Sequence, residues 1–167
     1  MIGSLEDSIL DVLKDNEAVF DIKSNHPKPP IEFTMETTSV PKPARSYRLS
    51  PDKVKAAKRE IESEMKLGRM TRSSSTYASP FFPVKKPDGS WRFVADYTAL
   101  NSVTVKDNYI PPRIDDLLSR IPANCTFSKL DLQKAFFQIP IRKEDQPKTA
   151  VITPFGLYEY TVMPMGL

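Results

Sequence analysis

The 167-residue sequence holds one cysteine, Cys125, and one histidine, His26. A lone thiol cannot form an internal disulfide, and one Cys and one His about a hundred residues apart cannot assemble a zinc site. Any metal here must be held by carboxylates. Long apolar runs are also missing. None approaches the ~18 residues of a membrane-spanning helix, and residues 1–10 lack the basic start and apolar stretch of a secretory signal. A soluble, intracellular product is expected. Internal repeats and low-complexity tracts are absent. What is present suffices for a core: Leu, Ile, Val and Phe number 42, about a quarter of the chain, against the ~20% below which sequences tend to stay disordered. At ~100–200 residues per domain, the length fits one domain or part of one.

The overall charge, 24 bases against 21 acids, is only +3, but its distribution is uneven. Residues 1–20 carry five acids and one base, net −4, whereas residues 41–92 carry thirteen bases and five acids, net +8. A basic middle third points to a polyanionic partner or to an ordinary solvated basic surface. Of sixteen prolines, ten cluster at positions 27–30, 41–43, 80–87 and 111–112, which divides the chain into short segments and forbids a long helix through them.

Leu5, Ile9, Val12, Leu13 and Val19 recur at near-helical spacing behind Ser4 as a candidate N-cap, which predicts an amphipathic helix. Residues 21–43 lose that periodicity and read as an extended Pro-rich linker outside the core, with a short strand at 31–35. The domain division expected is therefore 1–44, helix and linker, and 45–167, the folded part. A second helix has Ser50 as N-cap, Pro51 at its first position, Leu49 and Val54 as a staple, and Gly68 to close it. Its apolar stripe is Val54, Ala57, Ile61 and Met65. Lys53, Lys55, Lys58 and Arg59 lie off the stripe, as a solvated face or as nucleic-acid contacts.

Period-two alternation over residues 79–97, broken by Pro87-Asp88-Gly89-Ser90, predicts a β-hairpin with Lys85, Lys86 and Arg92 near its tip. A helix is expected at 113–120 with Ile114, Leu117, Leu118 and Ile121 on its buried side. A strand is expected at 126–132 and a second hairpin at 148–163. Asp131 stands out, because an aspartate is unfavourable in a strand and costly to bury without a cation. Either Lys129, two residues back on the same face, neutralises it, or it is a metal ligand at a strand end.

Four segments carry a family resemblance: SSSTYASPFFPVKKPDGSWRFVADYTALN at 73–101, IPPRIDDLL at 110–118, FSKLDLQKAFFQIPI at 127–141 and KTAVITPFGLYEYTVMPMGL at 148–167. In this order and spacing they resemble the reverse transcriptases of gypsy-type long-terminal-repeat retrotransposons, with Tyr47-Arg48-Leu49-Ser50-Pro51 typical of the lead-in. The resemblance implies an α+β fold, the fingers and first half of the palm of a right-hand polymerase. The activity it implies is RNA-directed DNA polymerisation, nucleotidyl transfer to a primer 3′ end on an RNA or DNA template.

Further implications of the resemblance concern single residues. Asp131 matches the first catalytic aspartate, which with the Leu132 carbonyl would help hold magnesium, the family using two ions to activate the primer hydroxyl and neutralise the leaving group. Lys85 and Arg92 match residues that grip the incoming triphosphate. The backbone amides of Lys134 and Ala135 would face it as well, and Gly166 falls in the nucleotide site. Phe136 matches the steric gate beneath the sugar, with Phe137 left to packing; without the resemblance both would read as core. Lys86 and Asp96 are expected on the nucleic-acid side. Template–primer, deoxynucleoside triphosphates and the remainder of a polyprotein (palm, thumb, connection, RNase H, integrase) would be the partners. The compartments would be the cytoplasm, in a retrotransposon particle, and the nucleus.

Two departures accompany the match. Thr98 stands where the family has arginine, and Ala95 where it has valine. The Tyr-x-Asp-Asp hairpin with the other two catalytic aspartates is not in the sequence, and Asp115-Asp116, in a helical pattern where neighbours point ~100° apart, does not replace it. The expectation is a truncated polymerase domain, inactive alone. The rivals are a non-catalytic nucleic-acid-binding module and a partly unfolded remnant.

Overall fold

The computed structural model describes the backbone of residues 2–20 and 30–167. The chain divides into two compact units, 1–30 and 31–167. The smaller holds helix α1, Ile2–Asp15, and the short α2, Glu17–Phe20. Ser4, expected to cap α1, lies inside it, and Ile9, Val12, Leu13 and Val19 are exposed. Residues 21–29 of the expected linker and the Leu5 side chain lie outside the described residues.

The larger unit is built on a five-stranded sheet of order β1-β5-β4-β2-β3, with β1 Met70–Arg72, β2 Ser79–Lys85, β3 Trp91–Ala95, β4 Val151–Thr153 and β5 Gly156–Tyr160. Both predicted hairpins are present, β2 with β3 and β4 with β5, and a parallel β2–β4 pairing joins them. The first turn is the one its residues favour. Gly89 takes φ +82°, the Lys86 amide bonds to the Ser90 carbonyl at 2.8 Å, and the Asp88 carboxylate accepts from the Ser90 amide at 2.8 Å.

Helix α3, Pro51–Lys66, starts after extended Ser50 and ends in a Schellman closure. Arg69 N donates to Glu64 O at 2.9 Å and Gly68 N to Met65 O at 3.0 Å, with Gly68 at φ +68°. Its buried face is Ala57, Ile61 and, unexpectedly, Glu64. Ala57 and Ile61 join Met70, Phe81, Tyr97, Leu100, Ile141, Val151 and Tyr158 in one core, with Phe81 stacked on Phe93.

Three expectations are corrected. First, the linker enters the core. Met35 is buried, its amide donates to the Asp145 carboxylate at 3.1 Å, and its carbonyl accepts from Lys148. Within the larger unit, residues 31–43 therefore strap across the rest of the fold through main-chain groups that hydropathy does not register. Instead of a strand at 31–35 there is a single bridge, Phe33 to Ile141.

Second, helix α5, Ile114–Ser119, forms but buries nothing, with Ile114, Leu117 and Leu118 exposed. Periodicity names the face a helix would bury, not whether a partner is there to receive it. Third, residues 126–132 are not a strand. No described backbone ladder pairs with them, and a strand without a neighbour leaves its amides and carbonyls to water. Residues 105–134 are exposed throughout. No helix among the described residues is long and apolar enough to cross a membrane.

Candidate functional site

The β2–β3 register decides where the basic hairpin residues point. Val84 pairs with Arg92 and Lys85 with Trp91. Because facing residues share a side and successive residues alternate, Lys85 lies on the Trp91 side and Arg92 on the other. Lys85, which the resemblance pairs with Arg92 as a triphosphate grip, thus lies on the opposite face of the hairpin from Arg92, and the same alternation carried one residue into the turn would put Lys86 on Arg92's face. On the Trp91 side, the Lys53 ammonium sits 4.9 Å from the indole ring centre, so this helix lysine is engaged rather than simply solvated. Nearby, Tyr47, Arg48, Leu49, Lys53, Phe82 and Pro83 line a shallow open groove, Tyr47 meeting Phe82 edge-on.

At the base of β3, the Thr98 amide donates to Asp96 Oδ1 at 3.0 Å ahead of α4, Thr98–Val103. Bonds from the Thr98 hydroxyl and amide hold the Asp96 carboxyl below its usual range. Asp96 thus has a local structural task that Thr98, in place of the family's arginine, helps to define. Gly166 comes to the same corner. Its carbonyl accepts from Asn101 Nδ2 at 2.8 Å, its φ is +103°, and a Cβ there would sit 3.8 Å from the Tyr97 ring. Tyr97 is fully buried and donates to the Thr149 carbonyl at 2.9 Å, which ties this corner to the core; burial pushes its hydroxyl pKa well up.

The third group is the turn after Asp131. Lys134 adopts a left-handed conformation, φ 49° and ψ 45°, which for a residue with a Cβ costs ~1–2 kcal/mol. It starts a 3₁₀ turn, Ala135–Gln138, closed by Phe137 N to Lys134 O at 2.9 Å and Ile139 N to Phe136 O at 3.1 Å. The two phenylalanines part there. Phe137 packs on the core and stacks on Tyr160 with centroids 6.2 Å apart, whereas Phe136 is 47% exposed.

Asp131 and Leu132 lie in the exposed, unpaired stretch. Among the described residues no ion pair joins Asp131 to Lys129, and no three carboxylate, imidazole or thiol groups come together in a way that could hold a metal. One carboxylate and one carbonyl are oxygen donors of the kind magnesium takes, but they do not amount to a site. The structure thus brings Asp96 and Gly166 to one corner and sets Lys86 and Arg92 near the tip of one hairpin. It leaves Lys85 across the hairpin from Arg92.

A five-stranded sheet carrying a basic hairpin, with an exposed loop bearing Asp131 that leads into a tight aromatic turn, fits a polymerase-type fold. Residues 84–167 match the family described as Reverse transcriptase (RNA-dependent DNA polymerase), and the chain belongs to that family. It is similar to the Transposon Tf2-3 polyprotein of Schizosaccharomyces pombe, 39% identical over 145 residues, 84% of this chain and 11% of the polyprotein. The chain therefore spans about a tenth of the length of that relative. Among solved structures, prototype foamy virus protease-reverse transcriptase superposes with a TM-score of 0.77 at 24% identity, over 99% of this chain and 23% of that one. The foamy viral enzyme solved with double-stranded DNA superposes at 0.65 with 26% identity, over 85% and 24%.

Proposed function

We propose that this chain supplies the fingers and the first palm segment of a retrotransposon RNA-directed DNA polymerase. It would hold template–primer and the incoming deoxynucleoside triphosphate, with Asp131 as one of the carboxylates for magnesium. One observation carries the reading: in the family-matched segment Lys86, Arg92, Asp131 and Phe136 face solvent while their neighbours Phe93 and Phe137 are packed. The exposure of Arg92 and Phe136 beside packed Phe93 and Phe137 supports that reading. The magnesium would supply charge for nucleotidyl transfer. Arg92 and Lys86 would hold phosphate oxygens, the Lys134 and Ala135 amides and Gly166 would border the nucleotide, and Phe136 would lie under the sugar. The remaining parts of a polyprotein would complete the site inside the cell.

The basic hairpin gives a direct test. Titrating the chain with a fluorescent RNA–DNA hybrid by anisotropy should show affinity falling steeply with salt, because phosphate contacts release counterions. Changing Lys86 and Arg92 to glutamine should lower the logarithmic salt slope by about one for each phosphate no longer neutralised, and Lys85→Gln should lower it less. Equal effects at Lys85 and Lys86 would mean that the two hairpin faces do not differ in this role.

Sugar selection tests the aromatic turn. In a complete polymerase containing this segment, Phe136→Val should raise ribonucleotide use relative to deoxyribonucleotide use, read as a ratio of kcat/KM values. Phe137→Ala should leave that ratio alone and lower stability by about 2–3 kcal/mol, somewhat less than a fully buried ring would. The reverse pattern would shift the gate by one residue.

A further inference from the structure

Glu64 is the one charged residue on the buried face of α3, and what it touches is the aromatic turn. Its Oε1 lies 3.4 Å from Lys134 Nζ and its Oε2 lies 3.4 Å from Arg69 Nη1. Those two cations flank a single ring: the Arg69 guanidinium carbon is 5.4 Å and the Lys134 ammonium 5.7 Å from the centre of Phe137. Two like charges on one ring repel each other unless an anion lies within reach of both, and Glu64 is that anion. Its burial, at 5% exposure, shields the carboxylate from water and strengthens the arrangement. The Schellman closure of α3 holds Arg69 in place, since Arg69 N bonds to Glu64 O. Lys134 has no such restraint: its side chain is half exposed and its backbone is left-handed.

We infer that Glu64 is a positioning residue for nucleotide sugar selection: by pinning Lys134 in its left-handed conformation it seats Phe137 and turns Phe136 outward. This rests on the reading of Phe136 as the gate. Without the carboxylate, the Lys134 ammonium is repelled by Arg69 and swings into water, and its backbone relaxes from a conformation that only glycine adopts freely. The 3₁₀ turn then loosens, and both phenylalanines exchange places more readily.

The test separates the positioning role from the gate itself. In the 167-residue chain, Glu64→Gln should speed hydrogen exchange at the Phe137 and Ile139 amides by ~tenfold relative to amides of β4 and β5. Glu64→Gln with Lys134→Gly should return exchange to near the parent rate, because glycine needs no side-chain anchor at positive φ. Lys134→Ala alone should loosen the turn and Lys134→Gly alone should not, which keeps the test decisive if Glu64→Gln fails to fold. In a complete polymerase containing the segment, Glu64→Gln should raise ribonucleotide use by ~fivefold to tenfold in kcat/KM ratio, with recovery in the glycine double variant. Unchanged exchange in Glu64→Gln, or equal effects of Lys134→Ala and Lys134→Gly, overturns the inference. A Phe136→Val control with no change in sugar preference overturns the gate reading instead, and the exchange result still judges Glu64.

Discussion

Replacing Asp131 by asparagine in a complete polymerase containing this segment is expected to lower nucleotide addition by orders of magnitude while template–primer affinity stays near the parent value. The substitution keeps the side chain's shape and removes only its charge, so a loss confined to turnover identifies a carboxylate needed for the metal-dependent step. Asp131 is exposed and has no ion-pair partner among the described residues, so the substitution breaks no salt bridge there and stability should barely move. Primer extension on an RNA template, alongside a thermal melt, would show the difference. Ordinary extension rates with asparagine at 131 would remove Asp131 from the catalytic assignment.

Asp145 should behave in the opposite way, with a large effect on stability. It is fully buried and accepts from the Met35 amide at 3.1 Å, from Arg142 Nη2 at 2.9 Å and from Lys148 Nζ at 2.7 Å. Burial alone would raise its pKa. The hydrogen bonds from Lys148 and the Met35 amide, together with the charges of Lys148 and Arg142, outweigh that and hold it below the usual carboxylate range.

Asp145→Ala should therefore cost about 3 kcal/mol, at the low end for a broken buried pair because Arg142 remains half in water. The strap at 31–43 should be the first segment to become protease-sensitive. The pH dependence follows from the lowered folded pKa. The carboxylate's contribution is fully present above the unfolded value of ~4 and is lost as pH falls through the folded value. Urea midpoints of parent and variant should converge in acid, and a gap that stays constant from neutral pH to pH ~3 would show that Asp145 does not act through its charge.

Local chemistry is what the sequence alone determined. The Pro-Asp-Gly turn, both hairpins, the start of α3 at Pro51 and its closure at Gly68, and the family motifs around Arg92, Asp131 and Phe136 all depend on residues near one another in the chain. Their signals are therefore complete within a short window. The overall α+β polymerase fold was legible for the same reason, because several such windows occur in a fixed order. Tertiary structure decided the rest.

Whether Lys85 or Lys86 shares a face with Arg92 depends on the pairing register, and a shift of one residue exchanges the faces. Glu64 reads as a polar residue beside an apolar stripe until the chain brings Lys134 to it from seventy positions away. Met35 looks like linker until Asp145 and Lys148 claim its main-chain groups. The apolar pattern at 114–121 and the alternation at 126–132 state a capacity for burial and pairing. Whether that capacity is used depends on a surface or strand to receive it, and a pattern within one segment cannot specify its partner.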